Sequence, residues 1–193
     1  MNSNTSWQEK AKGVRLVALD VDGVLTDGSV TISSSGEEIK SFNILDGMGI
    51  RFAIDCGLIV AVISGRTSPP VVQRMRELGV SEIMQGVKNK AAALKNLCSK
   101  YNLRPDEVAF VGDDLNDLPA FHTAGLRIAV ANACQEVKNA SDFTTQNRGG
   151  HGAVREAIEA ILKSQGRWDK AVRDYVSRSL QEAFPDSENA KSI

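Results

Sequence analysis

The sequence predicts an α/β protein: a doubly wound, Rossmann-like parallel sheet with a β-hairpin flap and no separate cap domain. Three observations carry this prediction. The apolar runs at residues 16–19, 58–63 and 108–111 are continuous rather than alternating, as in strands buried on both faces of a parallel sheet. Helical patterns separate them, and strands alternating with helices at this rhythm build βαβ units. The acidic, hydroxyl and lysine residues fall just beyond those runs or at the helix starts that follow them, where open α/β sheets place their sites.

Taken in order, residues 1–13 are polar and read as a loose arm, residues 14–165 as one α/β domain, and residues 166–193 as a C-terminal amphipathic helix and tail. The first strand delivers Asp20, Asp22 and Gly23. Residues 30–33 and 39–42 flank Ser34-Ser35-Gly36, which predicts a hairpin. Asp46 is placed to cap a helix carrying Ile50, Phe52, Ala53 and Ile54. The strand at 58–63 ends in Ser64-Gly65-Arg66. Thr67 or Ser68 before Pro69 starts the next helix, with Val71, Val72, Met75 and Leu78 inward and Gly79 at its stop. A short apolar segment near Ile83-Met84 follows, and Asn89-Lys90 opens a helix over 91–101. Pro105-Asp106-Glu107 turns the chain into the strand at 108–111, which ends in Gly112-Asp113-Asp114-Leu115-Asn116-Asp117. A short helix over 118–124, a fifth strand over 127–130 and a helix over 153–165 complete the domain. Beyond it, Trp168, Val172, Val176, Leu180 and Phe184 recur every four residues, with Tyr175 beside them. That stripe suits packing on its own domain and contact between subunits equally.

The intervals from Asp22 to Ser64 and from Ser64 to Lys90 hold only the hairpin, two helices and two strands. Neither leaves room for a lid domain of ordinary size. If a site at these strand ends needs shelter from water, the hairpin and a neighbouring subunit are expected to cover it.

Bulk properties narrow the partners. A chain of 193 residues with 42% hydrophobic content buries one α/β core. A formal net charge of −1 argues against nucleic acid or an anionic membrane as partner. No apolar run approaches a membrane span, and the first residues lack a signal-peptide core. Cys56, Cys98 and Cys134 are odd in number and widely spaced, which predicts reduced thiols and a cytoplasmic location. His122 and His151 stand alone and read as surface or packing residues.

Two carboxylates at i and i+2 beyond a strand can share one divalent cation and reach one substrate phosphorus, although Asp-Gly is also ordinary turn chemistry. Ser64, Lys90 and the Gly112–Asp117 cluster are weak signals singly. In this order, each beside a strand end, they form a set. The set resembles the four signature motifs of the haloacid dehalogenase superfamily of phosphohydrolases. Within it, the chain is similar to the 3-deoxy-D-manno-octulosonate 8-phosphate (KDO 8-phosphate) phosphatase family over about residues 15–165. The likeness lies in Asp20-Val21-Asp22-Gly23-Val24-Leu25, Phe42-Asn43-Ile44-Leu45-Asp46-Gly47, Gly65-Arg66, Gln85-Gly86 with Lys90, Val111-Gly112-Asp113-Asp114, and residues 149–156.

The resemblance implies roles. Asp20 would be the nucleophile, forming an aspartyl phosphate, and Asp22 the general acid and base. Ser64 would bind a phosphoryl oxygen, and Lys90 would pair with both that group and Asp20. Mg2+ would be held by Asp20, the backbone carbonyl of Asp22 and Asp113, with Asp114 or Asp117 behind it, the two unranked. The substrate would be a small sugar-acid phosphate carrying a carboxylate, bound by Asn43, Ile44, Leu45, Asp46, Gly47, Arg51, Arg66, Arg74, Lys90 and Asn116. Arginine suits a carboxylate because its planar fork binds two oxygens at once. Arg155 could also reach a site, while Asp27 is left as turn chemistry. A homotetramer whose subunit contacts complete the site is implied as well.

Alternatives are a nine-carbon sugar acid 9-phosphate or a broad range of sugar phosphates as substrate. A receiver domain would carry its acidic pair and acceptor on different strands. A dinucleotide module would need a third glycine after Gly47-Met48-Gly49. A non-catalytic oligomerisation domain would not need the intact set.

Overall fold

A computed structural model of the protein describes residues 6–184. Six parallel strands form one sheet: β1 (Leu16–Leu19), β4 (Ile59–Ile63), β5 (Glu82–Met84), β6 (Val108–Gly112), β7 (Leu126–Ala129) and β8 (Phe143–Thr144), in the order β5-β4-β1-β6-β7-β8. A separate antiparallel pair, β2 (Thr31–Ile32) and β3 (Glu38–Ile39), makes the hairpin. The register places Leu19 beside Val62 on one side and Val111 on the other, so β1 is central. Every residue of β1 and β6 is buried, the burial expected of strands covered on both faces.

Among the described residues, eight α-helices flank the strands: α1 (Trp7–Lys12), α2 (Ile44–Asp55), α3 (Pro69–Glu77), α4 (Lys90–Tyr101), α5 (Leu118–Phe121), α6 (Gln135–Ala140), α7 (Ala153–Ser164) and α8 (Trp168–Ala183). Helix α2 packs on α7, which also touches α1 and α8, while α4, α5 and α6 form a second group. Right-handed crossovers that run one way from β1 to β5 and the other way from β6 to β8 put these groups on opposite faces. The chain therefore leaves β1 and β6 in opposite directions. The crevice beyond their carboxyl ends is the topological switch point.

Three expectations need correction. Residues 1–5 of the polar opening lie outside the described residues; within 6–13 the chain is not a loose arm, because Trp7–Lys12 is helical. Ser6 caps it, Ala11 is fully buried, Trp7 stacks on Phe143 with centroids 4.7 Å apart, and Lys10 bonds Asp142 at 2.7 Å. Those partners are more than 100 residues away, so local sequence could not announce them. The short α6 and edge strand β8 were also not expected. Asp46 does not cap α2: Asn43 does, its Oδ1 accepting from Leu45 N at 2.8 Å.

The first turn of α8 packs on its own domain, with Trp168 and Ala171 buried and Trp168 edge-on to Phe52 at 5.2 Å. Further along, Tyr175 also meets Phe52 at 5.5 Å, yet it is 41% exposed and Phe184 is 59% exposed. Among the described residues no helix is long and apolar enough to cross a membrane.

Candidate active site

The switch point gathers Asp20, Asp22, Ser64, Arg66, Lys90 and the Asp113–Asp117 cluster. Asp20 N donates to Val111 O at 3.0 Å, carrying sheet pairing one residue past β1 and fixing the start of the catalytic turn. Its carboxylate is buried against Lys90, the first residue of α4, whose Nζ reaches Asp20 Oδ1 and Asp117 Oδ1, each at 2.6 Å. Asn89 caps α4 by accepting from Ala92 N at 3.0 Å and so sets where Lys90 begins. Asp117 is fully buried, and its Oδ2 accepts from Asp113 N at 2.9 Å. Ser64 follows β4 and is also buried, its Oγ accepting from Arg66 N at 3.1 Å.

A cavity of about 280 Å3 opens here, lined by Asp20, Asp22, Ser64, Arg66, Asp113, Asp114 and Asn116 among others. Its floor is crowded. Gly23 has φ +94°, and a methyl group built there would lie 2.0 Å from Asp113 Oδ2. Gly149 is pressed as closely on the other side, where a methyl group would lie 1.7 Å from Gly23 O. Only residues without a side chain let the two loops close over Asp113.

Carboxylate oxygens of Asp20, Asp113 and Asp117 lie within 4.8 Å of one another. Burial first, then the Asp117 charge, pushes the Asp20 carboxyl up to about 7 despite the opposing pull of Lys90. Burial, then Asp20, Asp117 and Asp114, pushes Asp113 up to about 8. Burial works against the Lys90 ammonium, but Asp20 and Asp117 outweigh it and hold the group charged. One ammonium thus faces two buried carboxylates, Asp20 and Asp117, with the half-buried Asp113 beside them. Asp113 Oδ1 is buried without a hydrogen-bond partner, although buried polar atoms are normally satisfied. Hard oxygen donors, surplus negative charge and that orphaned atom together fit a divalent cation such as Mg2+.

Asp114 and Asp117 are now ranked. Asp117 holds both Lys90 and the Asp113 backbone, whereas Asp114 is exposed and caps the next turn through Leu115 N at 2.8 Å. Asp27 accepts from Ser29 N at 2.8 Å, the turn role left to it.

Several predicted substrate-binding residues do not line this cavity in the single chain. Asn43 is spent on the α2 cap and on Gly150 O at 3.3 Å. Ile44 and Leu45 face outward. Asp46 is buried and accepts from Gly152 N and Arg155 N, at 3.2 and 2.8 Å, capping α7 instead. Gly47 lies under the Arg74 guanidinium, which pairs with Glu77 at 3.2 Å. Arg51 reaches Leu78 O at 3.4 Å and borders a hollow beside α8. Arg155 is held by the rings of Phe52 and Trp168, at 5.4 and 4.7 Å, and does not line this cavity. Local partners account for this: Asn43 and Asp46 are spent on helix caps, and Arg51, Arg74 and Arg155 on groups of their own or neighbouring helices.

Two residues were missed. Lys40, at the end of the hairpin, pairs with Asp22. Asn132 Nδ2 donates to Gly23 O at 3.0 Å while its Oδ1 accepts from Gly149 N at 2.6 Å, tying the two glycine turns together. Neither has a sequence signal, since a hairpin lysine and a loop asparagine are ordinary in those positions.

A buried Asp–Lys–Asp arrangement at the carboxyl end of a central parallel strand, with a second carboxylate two residues on, matches the arrangement that the resemblance to the haloacid dehalogenase phosphohydrolases implies. The family model for haloacid dehalogenase-like hydrolases matches residues 74–158. The 3-deoxy-D-manno-octulosonate 8-phosphate phosphatase of Escherichia coli (strain K12) is 44% identical over 162 residues, covering 84% of this chain and 86% of the relative. The Haemophilus influenzae phosphatase of the same name is 42% identical over 160 residues, 83% of this chain and 89% of that one. A crystal structure of the Moraxella catarrhalis phosphatase, in complex with magnesium, phosphate and KDO, superposes with a TM-score of 0.85 at 42% identity, covering 88% of this chain and 97% of that one. On this evidence the chain belongs to the 3-deoxy-D-manno-octulosonate 8-phosphate phosphatase family.

Proposed function

We propose that the protein is a Mg2+-dependent phosphatase that hydrolyses KDO 8-phosphate to KDO and inorganic phosphate. The observation that carries the reading is the buried Asp20–Lys90–Asp117 constellation beside the orphaned Asp113 oxygen, in a chain whose relatives bear that activity by name.

Lys90 holds the Asp20 carboxylate in one orientation, so it can attack phosphorus in line without first reorganising. As the Asp20–phosphorus bond forms, the phosphorus–oxygen bond to the sugar breaks and Asp22 gives its proton to the departing alcohol oxygen. Asp22 then takes a proton from water, which attacks the aspartyl phosphate, breaks the Asp20–phosphorus bond and releases phosphate. Ser64, the turn at Gly65 and Lys90 bind the phosphoryl oxygens throughout. The Asp20 and Asp113 carboxylates and the Asp22 backbone carbonyl would hold Mg2+, which neutralises phosphoryl charge when bound. Asp117 holds Lys90 and the Asp113 backbone in place behind it.

In our reading Arg66, which lines the cavity together with Asn116 and is 43% exposed, binds the sugar-acid carboxylate. Assembly supplies what the single chain lacks. Val30, Ile32 and Ile39 on the hairpin and Ile44 and Leu45 at the start of α2 are all more than half exposed, an apolar surface suited to a second copy. In our reading a homotetramer covers each cleft and brings Leu45, Arg51 and Arg74 toward a neighbour's site. KDO as product places the enzyme in lipopolysaccharide precursor synthesis, and three free cysteines agree with a reducing cytoplasm.

Phosphate release from KDO 8-phosphate and from a panel of other monoesters, with Mg2+ and with EDTA, tests the reading. A strong Mg2+-dependent preference for the sugar acid is expected. Flat, weak release across the panel would remove the substrate assignment, and no release at all would remove the enzyme.

A further inference from the structure

Lys40 is where the hairpin rejoins the body of the protein, and its side chain is only 1% exposed. Lysine is almost never buried this fully unless paired. Its Nζ bonds Asp22 Oδ1 and lies 3.6 Å from Glu38 Oε1. Arg66 closes the circuit: Nη2 is 2.6 Å from the same Glu38 oxygen and Nη1 3.9 Å from the same Asp22 oxygen. Two carboxylates and two cations, drawn from the hairpin, the turn after β1 and the turn after β4, thus form a ring. Both cations approach Asp22 through Oδ1, which leaves Oδ2 as the oxygen to exchange a proton.

Given the phosphatase reading above, in which Asp22 is the acid and base, we infer that Lys40 is a positioning residue for Asp22. It locks the carboxylate through Oδ1 and makes the acid's aim depend on how the hairpin is seated. The geometry gives Lys40 no direct role on the phosphoryl group. Arg66 lines the cavity, whereas Lys40 lies behind Asp22 and does not. The nucleophile is held by a different cation, Lys90, and Asp113 by Asp117. Losing Lys40 therefore leaves attack and phosphate binding intact and impairs only proton delivery. That step matters little for a leaving group such as 4-nitrophenolate, which departs as a stable anion, and greatly for phenolate or a sugar alkoxide.

The test is the dependence of kcat/KM on leaving-group basicity, for aryl phosphates from 4-nitrophenyl to phenyl and then for KDO 8-phosphate. This ratio reports steps up to phosphoryl transfer and so isolates the acid. General acid catalysis contributes about 10²–10⁴-fold, so Lys40→Met is expected to lose roughly tenfold or more on phenyl phosphate and less than about threefold on 4-nitrophenyl phosphate. Lys40→Arg, which keeps the charge, recovers part of the loss. Glu38→Gln leaves Lys40 in place but loosens its anchor, and it too should steepen the dependence. It carries the test alone if Lys40→Met does not fold. Parallel lines with a uniform loss, a change confined to KM, or an unchanged slope in these variants would each overturn the inference. Failure of the phosphatase reading itself would show separately, in a wild-type enzyme that releases phosphate from none of these esters.

Discussion

Asp117 shows how a residue that need not touch substrate can decide whether the site exists. It is fully buried, and its two oxygens serve Lys90 and the Asp113 backbone. Removing it leaves a buried ammonium short of a partner, and breaking such pairs typically costs about 3–5 kcal/mol. Asp117→Ala is expected to lower the melting temperature and abolish activity together, as thermal unfolding beside phosphate release would read. Asp20→Asn should behave differently: the fold persists while turnover falls below about one thousandth of wild type, because no other side chain can take the phosphoryl group. Appreciable residual turnover would remove Asp20 as nucleophile. Gly23→Ala is expected to impair Mg2+ activation, since its methyl group would meet the Asp113 carboxylate at 2.0 Å on a backbone with φ +94°. A titration of activity with Mg2+ measures it. For Arg66→Ala, the expected loss is larger on KDO 8-phosphate than on an aryl phosphate. Equal losses would assign Arg66 to the phosphoryl group instead.

At the scale of elements, the ends of α1, β7 and β8 are joined through one carboxylate. Asp142 accepts from Lys10 and from Arg127, the latter through side chain and backbone. Burial pushes its carboxyl up, but these donors more than offset that and hold it at about 2, below the usual carboxylate range. A group whose pKa is depressed by folding contributes stability that is present above its unfolded value and lost as pH falls through its folded one. Asp142 therefore contributes fully above about pH 4 and loses its contribution between there and about pH 2. Thermal melts of wild type and Asp142→Asn should differ at pH 7 and converge toward pH 2. A constant difference across that range would deny Asp142 this role. Helix α2 makes a second link: Asn43 caps it, while Asp46, three residues on, caps α7. In a linear reading both are helix-start signals, and only the fold shows which helix each one serves.

For the whole molecule, the open cleft and the apolar hairpin belong together. A phosphoryl-transfer site needs shelter from water, and within one chain the two-stranded hairpin meets the site only at its edge, through Lys40 on Asp22 and Glu38 on Arg66. Sedimentation of the wild type should report a tetramer, and Ile32→Asp should dissociate it and lower activity on KDO 8-phosphate. An active monomer would show that assembly is not needed.

Apart from α1, α6 and β8, the parallel sheet and its helices were legible in the linear chain, as was the gathering of Asp20, Asp22, Ser64, Lys90 and Asp113 at the strand ends. Buried strands must be apolar throughout, and functional groups at their ends interrupt that pattern visibly. What the chain could not announce was partnership across distance. Lys40 against Asp22, Asn132 between Gly23 and Gly149, Asp46 beneath α7 and Trp7 on Phe143 are contacts between residues ordinary in their own neighbourhoods. Local composition and periodicity report what one segment buries. Which distant group completes a buried charge or caps a foreign helix is settled only when the segments pack, because the energy of a buried polar group lies in the partner it meets.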